Sequence, residues 1–154
     1  MRSSTACCLA AAILLLPAVA DDQSGLVFWT AKDLRAYEKS LGGKINEKKI
    51  AVQPLSNFGN HWTMITQRRG DGEAEIHDSV HDFFLVKGGE ATLVTGGKLQ
   101  GGRITEPGET RGPSIEGGSK RKITTGDIVH IPAGMPHQLL VEKEFTYFVI
   151  KVRQ

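Results

Sequence analysis

The sequence predicts an all-β domain, an antiparallel sandwich or barrel with one helix near its N-terminus. Three observations carry this. From Ile50 onward apolar residues recur in short runs at the two-residue period of strands. Clusters of Gly, Pro, Asn and Asp interrupt those runs at short intervals. One early segment alone, around Leu34, Tyr37 and Leu41, repeats at helical spacing.

The helix is bounded on both sides. Thr30 can cap its N-terminus, with Asp33 reaching back in a variant of the capping box, and Gly42-Gly43 stop it. Its apolar stripe is a packing face, expected to lie across the outside of a sheet. Ahead of it, Arg2 and the apolar run Ala6 to Leu16 lead to Ala18-Val19-Ala20, a signal-peptide pattern with cleavage after Ala20. The run is short for a bilayer, so the mature protein is expected to be secreted or periplasmic, with no membrane contact once the leader is gone. Both cysteines, Cys7 and Cys8, lie in this leader, so no disulfide is expected in the mature chain.

The remaining residues suffice for one core. Three regions follow: the leader over 1–20, the helix and lead-in strands over 21–60, and the barrel over 61–154. With Arg2 set aside, eighteen basic residues stand against seventeen acidic ones. That balance argues against nucleic acid as a partner. Lys120-Arg121-Lys122 is the local exception, and a solvated strand edge explains it more simply than a phosphate site.

Strand-like runs follow in order: Ile50-Leu55, Trp62-Arg68, a pair flanking Asp78-Ser79, and Ala91-Val94 after a turn at Lys87-Gly88-Gly89. Between Gly96 and Gly118 the chain is rich in glycine and poor in apolar residues, which predicts a long insertion with short edge strands at the mouth of the fold. Order resumes with Ile123 and Ile128-Ile131, then the turn Pro132-Pro136, which delivers His137. The closing run Phe145-Val152 is apolar on both faces, as a covered strand is.

The chemistry concentrates in Glu75-Ile76-His77-Asp78-Ser79-Val80-His81. Glu75 and His77 are two residues apart and share a face of one strand. His81 follows a tight turn and heads the next, with Phe83 and Leu85 on its face and Asp78 and Asp82 pointing away. A carboxylate and two imidazoles converging in this way suit a borderline divalent transition metal. His137 is the candidate for a further ligand. His61 and His130 read as residues outside the site, and Gln138 as pointing outward. Glu75 has three open roles: a ligand, a general base beside the metal, or an ion-pair partner of Arg68 or Arg69.

The segment Gly126-Asp127-Ile128-Val129-His130-Ile131-Pro132-Ala133-Gly134-Met135-Pro136-His137 resembles the second cupin motif, which runs G, five residues, P, one residue, G, two residues, H. The first cupin motif runs H-x-H, three or four residues, E, six residues, G. Glu75 stands at its first histidine and His77 at its second. His81 stands at the glutamate, six residues before Gly88. The resemblance spans roughly Trp62 to Val152. It implies a double-stranded β-helix barrel (the cupin, or jelly-roll, fold) with one divalent metal inside it, bound by His77, His81 and His137 with Glu75 assisting. Iron, manganese, nickel, zinc and copper all occur in such sites.

Alternation places Trp62, Met64, Leu139, Val141 and Tyr147 in the barrel, with the Tyr147 hydroxyl a candidate proton carrier beside Glu75. The interior left over suits a small organic substrate. The first expectation is dioxygen-dependent oxidation of a chelating, enol-like or diketone-like molecule. A redox-neutral lyase or isomerase, with Glu75 or Tyr147 moving the proton, is the second. A non-catalytic module binding a small ligand or a metal is the third. Cupins commonly pair through sheet edges, so a homodimer is expected.

Overall fold

A computed structural model describes residues 25–154. The leader expected over 1–20, its cleavage point and both cysteines lie outside the described residues. Among those residues no helix is long and apolar enough to cross a membrane.

The helix α1 spans Ala31–Leu41 and continues into a single 3-10 turn, Gly42–Lys44. Its capping box is present: the Thr30 hydroxyl accepts from the Asp33 N–H at 3.1 Å, and Asp33 accepts from the Thr30 N–H at 3.1 Å. Leu34, Tyr37 and Leu41 pack on Ala51, Ile65 and Phe148, which fixes the helix against the outer face of a sheet.

Twelve strands follow: β1 Ile50–Asn57, β2 His61–Arg68, β3 Ala74–His77, β4 Val80–Thr95, β5 Lys98–Gln100, β6 Arg103–Glu106, β7 Glu109–Gly112, β8 Ser114–Glu116, β9 Ser119–Thr124, β10 Ile128–Ile131, β11 His137–Leu140 and β12 Phe145–Arg153. All pairings are antiparallel, and β4 belongs to two leaves of one curled sheet. Its first part pairs with β12 and β10, and β12 continues to β2 and β1. Its second part pairs with β9 and β11, and β11 continues to β3, β7 and β6. Between the leaves lies an apolar core that includes Phe84, Val86, Leu93, Ile123, Phe145 and Val149.

Two expectations about β4 need correction. The turn expected at Lys87-Gly88-Gly89 is absent; the chain runs on as one strand of 16 residues that bends as it passes from one leaf to the other. Gly89 makes the bend, with φ at 78°. A Cβ there would also strike the backbone carbonyl of Glu144, so the site excludes any side chain.

The second correction concerns which face is which. Asp82, Phe84 and Val86 point inward and are buried, while His81, Phe83 and Leu85 face the other way. The run Val80 to Val86 is apolar at both parities, so alternation alone does not set its phase. Pairing sets it: Asp82 lies opposite Lys151 and Phe84 opposite Val149. Directly opposed residues share a face, and Val149 belongs to the core. A shift of one residue moves every side chain to the opposite face.

The glycine-rich stretch folds as expected into short edge strands: β5 pairs with β8, and β6 with β7 as a hairpin. Strand β7 then lies against β3, with His77 opposite Glu109 and Glu75 opposite Arg111. The insertion thereby supplies side chains to the interior of the barrel mouth.

Candidate metal centre

Glu75 and His77 arrive from β3, two residues apart on one face, as their spacing predicts. His137 arrives at the start of β11 from the turn after β10, where Gly134 adopts φ 76° and its N–H donates to the His77 carbonyl at 2.7 Å. That bond ties the second motif to the first. One donor atom from each of Glu75, His77 and His137 lies within 4.8 Å of the others, a buried group able to hold a metal ion.

Asp82 joins them from β4. Its Oδ2 stands 3.3 Å from His77 Nε2 and 3.6 Å from His137 Nε2, and Glu75 Oε1 stands 3.6 Å from His137 Nε2. Donors bound to one ion at 2.0–2.2 Å stand about 3.0–3.5 Å apart, so these separations fit a shared coordination shell.

The imidazoles are set up to present lone pairs. His77 Nδ1 lies 2.7 Å from the Glu109 carboxylate and His137 Nδ1 lies 3.0 Å from the Met135 carbonyl. Both partners only accept, so each Nδ1 donates and each Nε2 is turned toward the cluster. His137 Nε2 is buried and has no hydrogen-bond partner. An acceptor nitrogen facing two carboxylate oxygens is stable only with a cation between them, either a proton or a metal ion. Burial alone would lower the His137 pKa, but Asp82 and Glu75 outweigh it and lift it to about 9. For Glu75, burial would raise the pKa, yet His137, Arg111 and His77 bring it down to about 2. Asp82 is likewise held well below the usual carboxylate range: burial opposes ionisation, but His137, His77 and Lys151 overcome it.

His81 is not part of this group. On the outer face of β4 its ring stacks on His130 with centroids 5.4 Å apart, and its Nδ1 accepts from the Ala133 N–H at 3.4 Å. The inner face of β4 expected to carry His81 carries Asp82 instead, which was expected to point outward. The motif allows this reading. Four residues rather than three after His77 put Asp82 at the carboxylate position, and six more lead to Gly89, the glycine the backbone requires. Gln138 does not face solvent; it is buried beneath the insertion and donates to the carbonyls of Gly72 and Pro113. His61, stacked on Phe58, lies outside the group as expected.

Tyr147 lines the adjoining cavity together with Glu75 and Asp82, and its hydroxyl accepts from Arg68 Nε at 3.1 Å. Burial pushes its phenol pKa up; the Arg68 charge works against that without reversing it. The phenol therefore keeps its proton at neutral pH.

Three charged side chains at the site went unforeseen, and a fourth has another partner than expected. Lys151 Nζ donates to Asp82 at 2.6 and 2.9 Å and to His77 Nε2 at 2.8 Å. Arg111 pairs with Glu75 at 2.6 Å and with Glu109 at 3.5 Å. Glu109 orients His77 from the insertion. Arg68, expected only as a partner for Glu75, is buried in the wall next to Tyr147. Lys151 had a sequence signal: it continues the inward parity of Phe145, Tyr147 and Val149. Glu109 and Arg111 had none, because they lie in a segment without a motif.

The cavity beside the group measures about 150 Å3 and is lined by Met64, Phe84 and Val149 besides the charged residues. A second, of about 210 Å3, lies on the His77 side and shares Met64, Arg111 and Lys151 with it. A cleft of about 580 Å3 shares Ile50, Arg68 and Arg111 with the inner cavity and opens toward β6.

No family model matches the sequence, and no curated protein matches it. Solved structures do match its fold. A Thermus thermophilus protein superposes with a TM-score of 0.54 at 16% identity, over 75% of this chain and 93% of its own. A cupin superfamily protein from Desulfitobacterium hafniense gives 0.50 at 13%, over 71% and 82%. Oxalate oxidase gives 0.50 at 17%, over 70% of this chain and 53% of its own, so the chain spans about half the length of that relative. With two leaves sharing β4 and both motifs meeting at one end of the barrel, the fold of this chain is that of the cupin superfamily.

Proposed function

We propose that this chain is an exported metal-dependent cupin that transforms a small organic molecule, with dioxygen-dependent oxidation its leading chemistry. One observation supports the reading: the buried His137 Nε2, with its Nδ1 committed to a carbonyl, faces Glu75 and Asp82 at 3.6 Å each, a position that a metal ion can take from the proton. His77, His137, Glu75 and Asp82 would hold a divalent transition metal such as iron, manganese, nickel, zinc or copper. Such an ion supplies Lewis acidity and, if redox-active, an electron path to dioxygen. The rest is done by the chain. Glu109 and Met135 hold the imidazoles in one tautomer. Met64, Phe84 and Val149 give the cavity an apolar wall beside its charges. His137 and, after it, Arg111 keep Glu75 ionised, which suits it to hold the ion. Oxalate oxidase, by its name an oxidase, shares the fold and supports the placing of oxidative chemistry on this barrel.

Tyr147 favours a second reading. A protonated phenol borders the same cavity as Glu75 and Asp82, so a proton carrier is at hand for a redox-neutral lyase or isomerase. Metal analysis of the purified mature chain, followed by oxygen-electrode assays, separates the two. The oxidative reading expects about one equivalent of a redox-active metal, lost in His77→Ala and His137→Ala, and substrate-dependent oxygen uptake. Zinc with full turnover and no oxygen uptake would favour the lyase. A site that stays empty after supplementation with all five metals would leave a non-catalytic ligand-binding barrel.

A further inference from the structure

The charges around the group come in matched numbers: the carboxylates Glu75, Asp82 and Glu109 are met by the cations Arg68, Arg111 and Lys151. A divalent ion added beside neutral imidazoles leaves this enclosure two positive charges in excess. Excess charge in a desolvated site is costly unless a counter-charge enters with it. Lys151 meanwhile holds two of the ion's own ligands, at 2.8 Å from His77 Nε2 and at 2.6 Å from Asp82. An imidazole nitrogen has one lone pair and cannot serve the ammonium and an ion together. All three cations border the 150 Å3 cavity.

We propose that this cavity receives a small organic dianion, a carboxylic acid with a second ionised oxygen, bound by Lys151 together with Arg111 and Arg68 once a metal ion has taken His77 and Asp82 from the lysine. This rests on the metal reading above and adds the substrate class to it. The volume of about 150 Å3 equals about five waters, which suits a short carbon skeleton. Met64, Phe84 and Val149 offer that skeleton an apolar wall. Lys151 is here a specificity residue, not part of the group that performs the chemistry.

The test is calorimetric, on the full mature chain, with zinc as the metal and malonate and its neutral diamide as probes. Zinc is titrated first into wild type, Lys151→Met and Lys151→Arg; each probe is then titrated into the zinc-loaded proteins. Wild type should prefer malonate over malonamide by more than about tenfold, Lys151→Met should lose at least about tenfold in malonate affinity, and Lys151→Arg should retain most of it. Zinc itself should bind Lys151→Met more tightly than wild type, which a merely structural lysine would not produce. Equal malonate affinity in wild type and Lys151→Met, both carrying a full equivalent of zinc, overturns the anion site and leaves the metal reading standing. Failure of wild type to take up zinc, and then iron, manganese, nickel and copper tried in its place, sinks the metal reading and this inference with it. If Lys151→Met does not fold, the wild type alone decides: malonate binding no tighter than malonamide binding refutes the proposal.

Discussion

Replacing either of two adjacent glycines tests the phase of β4, and with it the identity of the fourth ligand. If His81 held the carboxylate position of the first motif, the motif glycine would be Gly88; with Asp82 there it is Gly89. The two differ sharply in the structure. Gly88 has nothing within 4 Å of a built Cβ and no positive φ. Gly88→Ala should therefore be neutral, or stabilising by up to about 1 kcal/mol through the unfolded chain. Gly89 sits at φ 78°, where an alanine costs about 1–2 kcal/mol. Its Cβ would also overlap the Glu144 carbonyl and lie 3.3 Å from Cα of Phe145, a fully buried residue at the start of β12. Moving that backbone adds about 1–3 kcal/mol, as overpacking does. The expected gap between the variants is about 3 kcal/mol or more, which at this size is a melting-temperature difference of about 10 °C. Urea unfolding of both variants, with slopes compared to confirm an unchanged transition, measures it. Equal stabilities, or a worse Gly88→Ala, would refute the register and return His81 to the interior.

The same assignment predicts metal retention. His137→Ala and Asp82→Ala should weaken zinc by more than about 100-fold, whereas Glu109→Gln, which only loosens the hold on His77, should cost about 10–100-fold. His81→Ala should bind as wild type, and a loss there comparable to Asp82→Ala would contradict the structure. Metal uptake should also release protons: with the His137 pKa at about 9, a divalent ion arriving at pH 7 displaces a proton. Apparent affinity should rise about tenfold per pH unit up to about pH 9 and then level off. Calorimetry in buffers of different ionisation enthalpy counts that proton, and pH-independent affinity between 7 and 8.5 would rule it out. In the metal-free protein Glu75 makes stability depend on pH in the acid range. Its folded pKa of about 2 lies below the ordinary glutamate value of 4.5, so its contribution is present above about pH 4.5 and lost as pH falls through about 2. That contribution is up to about 3 kcal/mol. Acid titration of Glu75→Gln against wild type should show a flatter loss of stability over that window.

Much of the architecture was legible in the chain. Thr30 and Asp33 gave the helix start, and Gly126, Pro132, Gly134 and His137 gave the second motif at full spacing. The two-residue step from Glu75 to His77 gave their shared face. What alternation alone left open was the phase after Asp78-Ser79. Phe83, Phe84, Leu85 and Val86 are apolar on both faces because β4 is covered on both: Phe83 stacks on His130 outside, at 4.5 Å between centroids, while Phe84 packs in the core. A strand covered on both faces carries no amphipathic signal, so neither spacing allowed by the motif stood out. The backbone carried the missing information, in Gly89, which unlike Gly88 tolerates no side chain.

The charged residues missed in the sequence follow a simple rule. Glu109 lies directly opposite His77, Arg111 opposite Glu75, and Lys151 opposite Asp82. Each candidate ligand of β3 and β4 is thus answered by its cross-strand neighbour, whose side chain points to the same face at about 5 Å. A carboxylate turned into a barrel needs a counter-charge within reach, and the adjacent strand is where one can be placed without bending the backbone. The orienting group for the His77 imidazole is supplied in the same way. Once the pairing of β3 with β7 and of β4 with β12 is known, the ring of charges around the centre follows from the sequence. The insertion between Gly96 and Gly118 is therefore a structural part of the centre: deleting β6 and β7 would remove both Glu109 and Arg111, leaving His77 unoriented and Glu75 without its guanidinium.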